Sequence, residues 1–173
     1  MRLFIALNIS KEAKDYLFKL KEEFRNLGKI NLLGKNKYHI TLKFLGEVKE
    51  DKLEEIKNKL SKVKFNSFEI SLNELGHFHE RVLWVNTKPK DKILDLAKKI
   101  DEQLIEFPNE KDFNNHITLA RIKSLKNKKE FHKKLETEIK EIKFKVNSFE
   151  LMKSTLSKDG AKYEIIHSYT FHQ

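Results

Sequence analysis

The chain has no cysteine among its 173 residues. That excludes a disulfide framework and thiolate chemistry, and it fits a reducing, cytoplasmic setting. Glycine is scarce: there are five, none of them clustered. A glycine-rich phosphate cradle and the Gly-x-Ser-x-Gly elbow of a serine hydrolase are therefore both absent. Only two prolines occur, and no stretch reads as a linker, a low-complexity segment or a disordered tail. The apolar run Leu3-Phe4-Ile5-Ala6-Leu7 is too short and too poorly flanked for a signal peptide or a membrane span.

Positive charge is abundant. Lysine and arginine number 36 against 26 acidic residues, a net charge of +10. Residues 1–86 carry 17 basic and 12 acidic groups, and residues 87–173 carry 19 and 14, so each half holds a surplus of five. The charge belongs to the folded body rather than to a tail. It points to an anionic partner, nucleic acid first among them. A lysine-rich solubilising surface would give the same count.

One tetrapeptide occurs twice: His39-Ile40-Thr41-Leu42 and His116-Ile117-Thr118-Leu119. Both copies have the alternation of a strand. Successive strand side chains point to opposite faces, so each His and Thr share one face while Ile and Leu enter the core. The likeness extends beyond the motif. Each copy is followed by an amphipathic helix and then by Ser-Phe-Glu-hydrophobic, at Ser67-Phe68-Glu69-Ile70 and Ser148-Phe149-Glu150-Leu151. Internal duplication accounts for both.

In chain order the pattern predicts a strand over 2–9 and a helix carrying Ala13, Leu17, Leu20, Phe24 and Leu27, capped by Ser10 and stopped at Gly28. The first motif strand runs over 37–45, and a helix with Leu53, Ile56, Leu60 and Val63 follows. Strands at 66–76 and 81–87 flank a loop at 76–80. A helix opened by Pro89 and Asp91 leads to the second motif strand at 115–122. A fourth helix should carry Phe131, Leu135 and Ile139, before closing strands at 143–156 and 162–172 joined by a turn at Asp159-Gly160. The fold class is α+β: about eight strands and four helices in two pseudo-symmetric lobes, each an antiparallel sheet flanked by helices. A groove between the lobes would receive one His-x-Thr from each.

Two imidazoles facing across a groove suit phosphodiester cleavage. One can deprotonate water and the other can protonate the departing oxygen, since their ordinary pKa lies near neutrality. Threonine hydroxyls beside them can stabilise the phosphate oxygens. In-line displacement places the attacking and leaving oxygens on opposite sides of phosphorus, which a pair of sites satisfies. This logic needs no metal and no cofactor. A competing metal reading rests on His77 and His79, whose i, i+2 spacing can chelate zinc, but no cysteine or carboxylate pattern completes the set. These two histidines, with His132, His167 and His172, read as loop or surface residues.

The doubled His-x-Thr resembles the signature of the 2H phosphoesterase superfamily. The wider pattern resembles its LigT-like branch, the RNA 2′,3′-cyclic phosphodiesterases, first described as 2′-5′ RNA ligases. The resemblance runs from Arg2-Leu3-Phe4-Ile5-Ala6 through His39–Glu47, Arg81-Val82-Leu83-Trp84-Val85 and His116–Arg121 to Ser148-Phe149-Glu150-Leu151 and Tyr163-Glu164. It implies one bilobal domain over 1–173 that opens a 2′,3′-cyclic phosphate to a 2′-phosphate. It assigns His39 as proton donor and His116 as proton acceptor, a direction the residues themselves leave open. It also implies that Thr41 and Thr118 hold phosphate oxygens and that Arg121 contacts phosphate at the groove rim. The partner would be RNA with a cyclic end, tRNA fragments among them, handled by a cytoplasmic monomer without a membrane. Ligation through a 2′-5′ bond, with a 5′-hydroxyl replacing water, and RNA binding without catalysis are the alternatives. Three departures stand out: Asn115 and His79 occupy positions where the family usually has Pro, and Gly160-Ala161 replaces Gly-Pro.

Overall fold

Strand and helix alternate along a computed structural model that describes residues 1–172. The order is β1 (Arg2–Asn8), α1 (Lys11–Leu20), β2 (Gly28–Leu32), β3 (His39–Glu47), α2 (Leu53–Leu60), β4 (Phe68–Phe78), β5 (Val82–Lys88), α3 (Asp91–Gln103), β6 (Ile117–Leu125), α4 (Lys128–Lys134), β7 (Lys143–Val146), β8 (Ser148–Ser157) and β9 (Gly160–Thr170). All strand pairings are antiparallel, in the order β7-β4-β5-β6-β3-β1-β8-β9, with β2 also beside β6.

The sheet divides at its centre. β3 and β6 pair only at Ile40↔Ile117. On one side lies the lobe β3-β1-β8-β9 and on the other β6-β5-β4-β7, the two lobes expected from the repeat. Neither lobe is a continuous half of the chain. β8 and β9 come from the C-terminal end and complete the lobe that β1 begins, while β4 and β5 cross to join β6.

The helices cross over as well. α2 and α3 cover the first lobe, where the Tyr169 hydroxyl donates to the Lys57 carbonyl (3.1 Å) and Lys43 Nζ reaches Asp101 (2.8 Å). α1 and α4 cover the second, where Phe24 meets Phe131 edge-on at 5.9 Å. Three helices bury an apolar stripe, Ala13 and Leu17 from α1, Ile56 and Leu60 from α2, and Ile93, Leu96 and Ile100 from α3, while the short α4 buries Phe131. Ser10 caps α1 by accepting from the Ala13 N–H at 3.1 Å.

Several boundaries differ from the sequence pattern. α1 ends at Leu20, and Lys21–Leu27 continue as 3-10 helix, which still buries Phe24 and Leu27. Gly28 does follow that helix, but it also opens β2, a ninth strand. A Cβ there would lie 2.1 Å from the Ser124 carbonyl oxygen, so the close approach of β2 to β6 requires glycine. α4 stops at Lys134, leaving Leu135 and Ile139 outside it. The segment beyond carries Thr137, Ile139 and Ile142, β-branched residues that lose side-chain freedom in a helix, and it buries Ile139 and Ile142 without helical structure. No helix among the described residues is long and apolar enough to cross a membrane.

Candidate active site

The two tetrapeptides are neighbours. With Ile40 opposite Ile117 in antiparallel register, His39 lies opposite Thr118 and Thr41 opposite His116. Ile40, Leu42, Ile117 and Leu119 are all buried in the core. The two histidines and two threonines therefore project from the other face as the corners of a square. The histidines sit on its diagonal, near enough for the charge of His116 to act on His39.

A bulge follows each motif. Against β1, Thr41 pairs with Ala6 and Lys43 with Ile5, so Leu42 is skipped. Against β5, Thr118 pairs with Trp84 and Ala120 with Leu83, so Leu119 is skipped. An extra residue reverses the alternation. Arg121, three residues past Thr118, would face away from the site on a regular strand; the bulge returns it to the histidine face, where its charge acts on His116. Phe44 occupies the equivalent place in the first lobe, exposed and against Phe4 at 6.2 Å. Lys43 is turned inward instead, to Asp101 (2.8 Å) and Asn109 (2.9 Å).

Each imidazole is held in the same way. His39 Nδ1–H donates to the Lys37 carbonyl (2.8 Å), and His116 Nδ1–H to the Asn114 carbonyl (2.9 Å), both two residues upstream. Those bonds leave Nε2 as the free base in the neutral ring. His39 Nε2 lies 3.0 Å from Thr41 Oγ1, whose hydroxyl donates to it. Aromatic walls complete the setting. Phe4 and Tyr163 lie 5.2 Å from the His39 ring, and Phe78 meets His116 edge-on at 4.9 Å. Tyr163 comes from β9, three strands from β3, so the sheet curls enough to bring its outer strand over the site.

Burial lowers the pKa of both rings. His39 is drawn down to about 4, with the bond to Lys37 opposing and the charges of His116 and Lys14 adding. His116 is lowered by burial and by Arg121, against the bond to Asn114. Both are neutral bases at pH 7 in the free protein.

The remaining histidines lie elsewhere. His77 Nδ1 accepts from the Glu80 N–H (3.0 Å), and His132 Nε2 bonds the Glu80 carboxylate (2.8 Å). Together they brace the β4–β5 turn, in which His79 and Glu80 both have positive φ. Among the described residues no three His, Asp or Glu side chains gather as a metal would require. Sequence reasoning missed the two carbonyls that orient the rings, the bulges and the aromatic walls. Only the bulges had a signal, the odd spacing of Arg121 from the motif.

Comparison with known proteins agrees with this architecture. A family model described as the 2′-5′ RNA ligase superfamily matches residues 17–157. A protein of Methanocaldococcus jannaschii named RNA 2′,3′-cyclic phosphodiesterase is 35% identical over 96% of this chain and 98% of its own. One of the same name from Thermotoga maritima is 30% identical over 99% and 96%. Escherichia coli LigT, solved with 3′-AMP, superposes with a TM-score of 0.81 over 99% of this chain and 98% of its own, at 21% identity. At that identity the likeness speaks for the fold.

Proposed function

Because this chain belongs to the 2′-5′ RNA ligase superfamily, we propose that it hydrolyses RNA 2′,3′-cyclic phosphate ends to 2′-phosphate ends without a metal. The observation that carries this is the square of His39, Thr41, His116 and Thr118 on one face of the central seam. The curated relatives named for the same activity support it.

The cyclic phosphate sits between the two Nε2 atoms. His116 Nε2 removes a proton from water as its oxygen attacks phosphorus. The bond from phosphorus to O3′ breaks, and His39 Nε2–H delivers a proton to O3′. Water adds, O3′ departs, and the product is a 2′-phosphomonoester with a free 3′-hydroxyl. Thr41, Thr118 and Arg121 hold the non-bridging oxygens as charge develops.

His39 must carry a proton to act as the acid, yet burial leaves it neutral in the free protein. The substrate supplies the remedy. A unit negative charge about 4 Å away, at an effective dielectric near 20, is worth about 4 kcal/mol. That is roughly three decades of proton affinity, enough to bring the ring's pKa back to its ordinary range, so that it carries a proton near neutral pH. Once protonated, Nε2–H donates to Thr41 Oγ1 or to the leaving oxygen. The Thr41 hydroxyl proton is then free to turn toward phosphate.

A short RNA with a 2′,3′-cyclic end, incubated with EDTA, should yield a 2′-phosphate end. No turnover, or a 3′-phosphate product, would overturn the assignment. Ligation is the same displacement with an RNA 5′-hydroxyl in place of water: its oxygen bonds phosphorus, O3′ departs, and a 2′-5′ phosphodiester results. The superfamily's name favours testing it by adding such an RNA to the same reaction.

A further inference from the structure

The two motifs are supported differently by their neighbouring strands. β1 pairs with β3 through Leu7↔Ile40 and on to Asn8↔His39, so the backbone of His39 lies inside a ladder. The equivalent ladder of β5 with β6 ends at Val85↔Ile117, one residue short of His116. Carried two residues further, that register would set Thr87 opposite Asn115. There the side chain of Asn115 acts where the main chain has stopped. Its Nδ2 donates to the Thr87 carbonyl at 2.9 Å, and its Oδ1 accepts from the Thr87 hydroxyl at 3.0 Å. Both residues are buried, with Thr87 fully inaccessible. A carboxamide has the donor and acceptor of a peptide group, so this pair is one more rung of the ladder made from side chains.

From this arrangement we infer that Asn115 and Thr87 are positioning residues for His116. The inference rests on the proposed role of His116 as the base. The peptide joining Asn114 to Asn115 carries the carbonyl that accepts from His116 Nδ1–H. Anchoring Asn115 to β5 fixes the direction of that carbonyl, which in turn selects the tautomer with Nε2 free and sets the plane of the ring. In the first lobe the residue before the histidine, Tyr38, is also buried, and its hydroxyl donates to the Leu33 carbonyl at 3.2 Å. Both histidines thus follow an anchored residue, but only His116 lacks a backbone rung of its own.

The test uses the whole protein with 15N-labelled histidine. Wild-type His116 should show one tautomer, protonated at Nδ1. Asn115→Ala should mix the tautomers and lower kcat on a cyclic end about tenfold with KM little changed, as expected for a displaced catalytic group. Thr87→Val keeps the shape and removes the hydroxyl, so it should move both readouts the same way even where Asn115→Ala fails to fold. Thr87→Ser keeps the hydroxyl and should restore both. The His39 signals should stay unmoved throughout. Loss of thermal stability with His116 resonances and kcat unchanged would overturn the inference and leave a purely structural pair. If wild type lacks turnover on cyclic ends, the proposed function fails, and the nitrogen spectra still decide this inference by themselves.

Discussion

Acid should unfold this protein partly through His39. In the folded chain burial draws the ring to about 4 from its ordinary 6.5. The unfolded chain restores the ordinary value. Between the two, only the unfolded state binds the proton, so falling pH favours unfolding. The loss starts as pH drops below the unfolded value, grows until the folded value is reached, and stays constant below it. Its full size is about 3 kcal/mol, at roughly 1.4 kcal/mol per decade of proton affinity. His116, lowered for the same reason, adds in the same direction. His39→Gln removes the titration while keeping an amide that can still donate to the Lys37 carbonyl. Urea unfolding of both proteins from about pH 7.5 to about pH 4 isolates the His39 share, because acid effects on carboxylates are common to both. Wild type should lose about 3 kcal/mol more than the variant across that range. Inorganic phosphate should shrink the difference by binding beside the ring and raising its proton affinity in the folded state. Parallel curves for the two proteins would refute a buried, neutral His39.

Three further outcomes follow from the same geometry. His39→Ala and His116→Ala should each lower kcat about 10²–10⁴-fold, and the double variant should be little worse than the worse single one, because the two act as a unit; near-normal turnover in either would remove the pair from the mechanism. Gly28→Ala drives a methyl group into the Ser124 carbonyl and should cost about 3 kcal/mol, an overpacking penalty, lowering Tm by about 6–12 °C; an unchanged melting curve would mean that β2 does not need its close seat on β6. Affinity for a longer RNA with a cyclic end should fall with salt at a log-log slope near −0.7 per phosphate contacted, far more steeply than affinity for a cyclic mononucleotide; equal slopes would confine recognition to the terminal nucleotide.

Much of the site was legible because strand side chains alternate with a period of two. His39 with Thr41, and His116 with Thr118, had to share a face once each stretch was read as a strand. Gaps appear where that period breaks. No residue type announces the bulges at Leu42 and Leu119, so Arg121 was placed near the site only by resemblance, and the exposed position of Phe44 against Phe4 needed coordinates. β2 was hidden because five residues between a helix and Gly34 look like a connection. What makes them a strand is a partner, β6, lying nearly a hundred positions later. Asn115 registered only as a departure from a usual proline, since a carboxamide reveals its role through the group it meets. Lys43 carried no reading of its own in the sequence; the bulge turns it inward to Asp101.

The crossing of the chain between lobes bears on how the protein is made. β1 is made long before β8, yet one of its two edges waits for that strand, with Arg2 opposite Ser154 and Ala6 opposite Glu150. Tyr163, the ring that closes over His39, belongs to the last strand of all. A chain released early can carry both His-Ile-Thr-Leu copies and still lack one wall of the site. It would also bear an open strand edge, ready to pair with another chain. Contacts between the two ends must form before the first lobe is complete, which favours slow folding. A copy truncated before β8 should therefore be inactive, because it lacks both the partner of β1 and the ring that lies over His39.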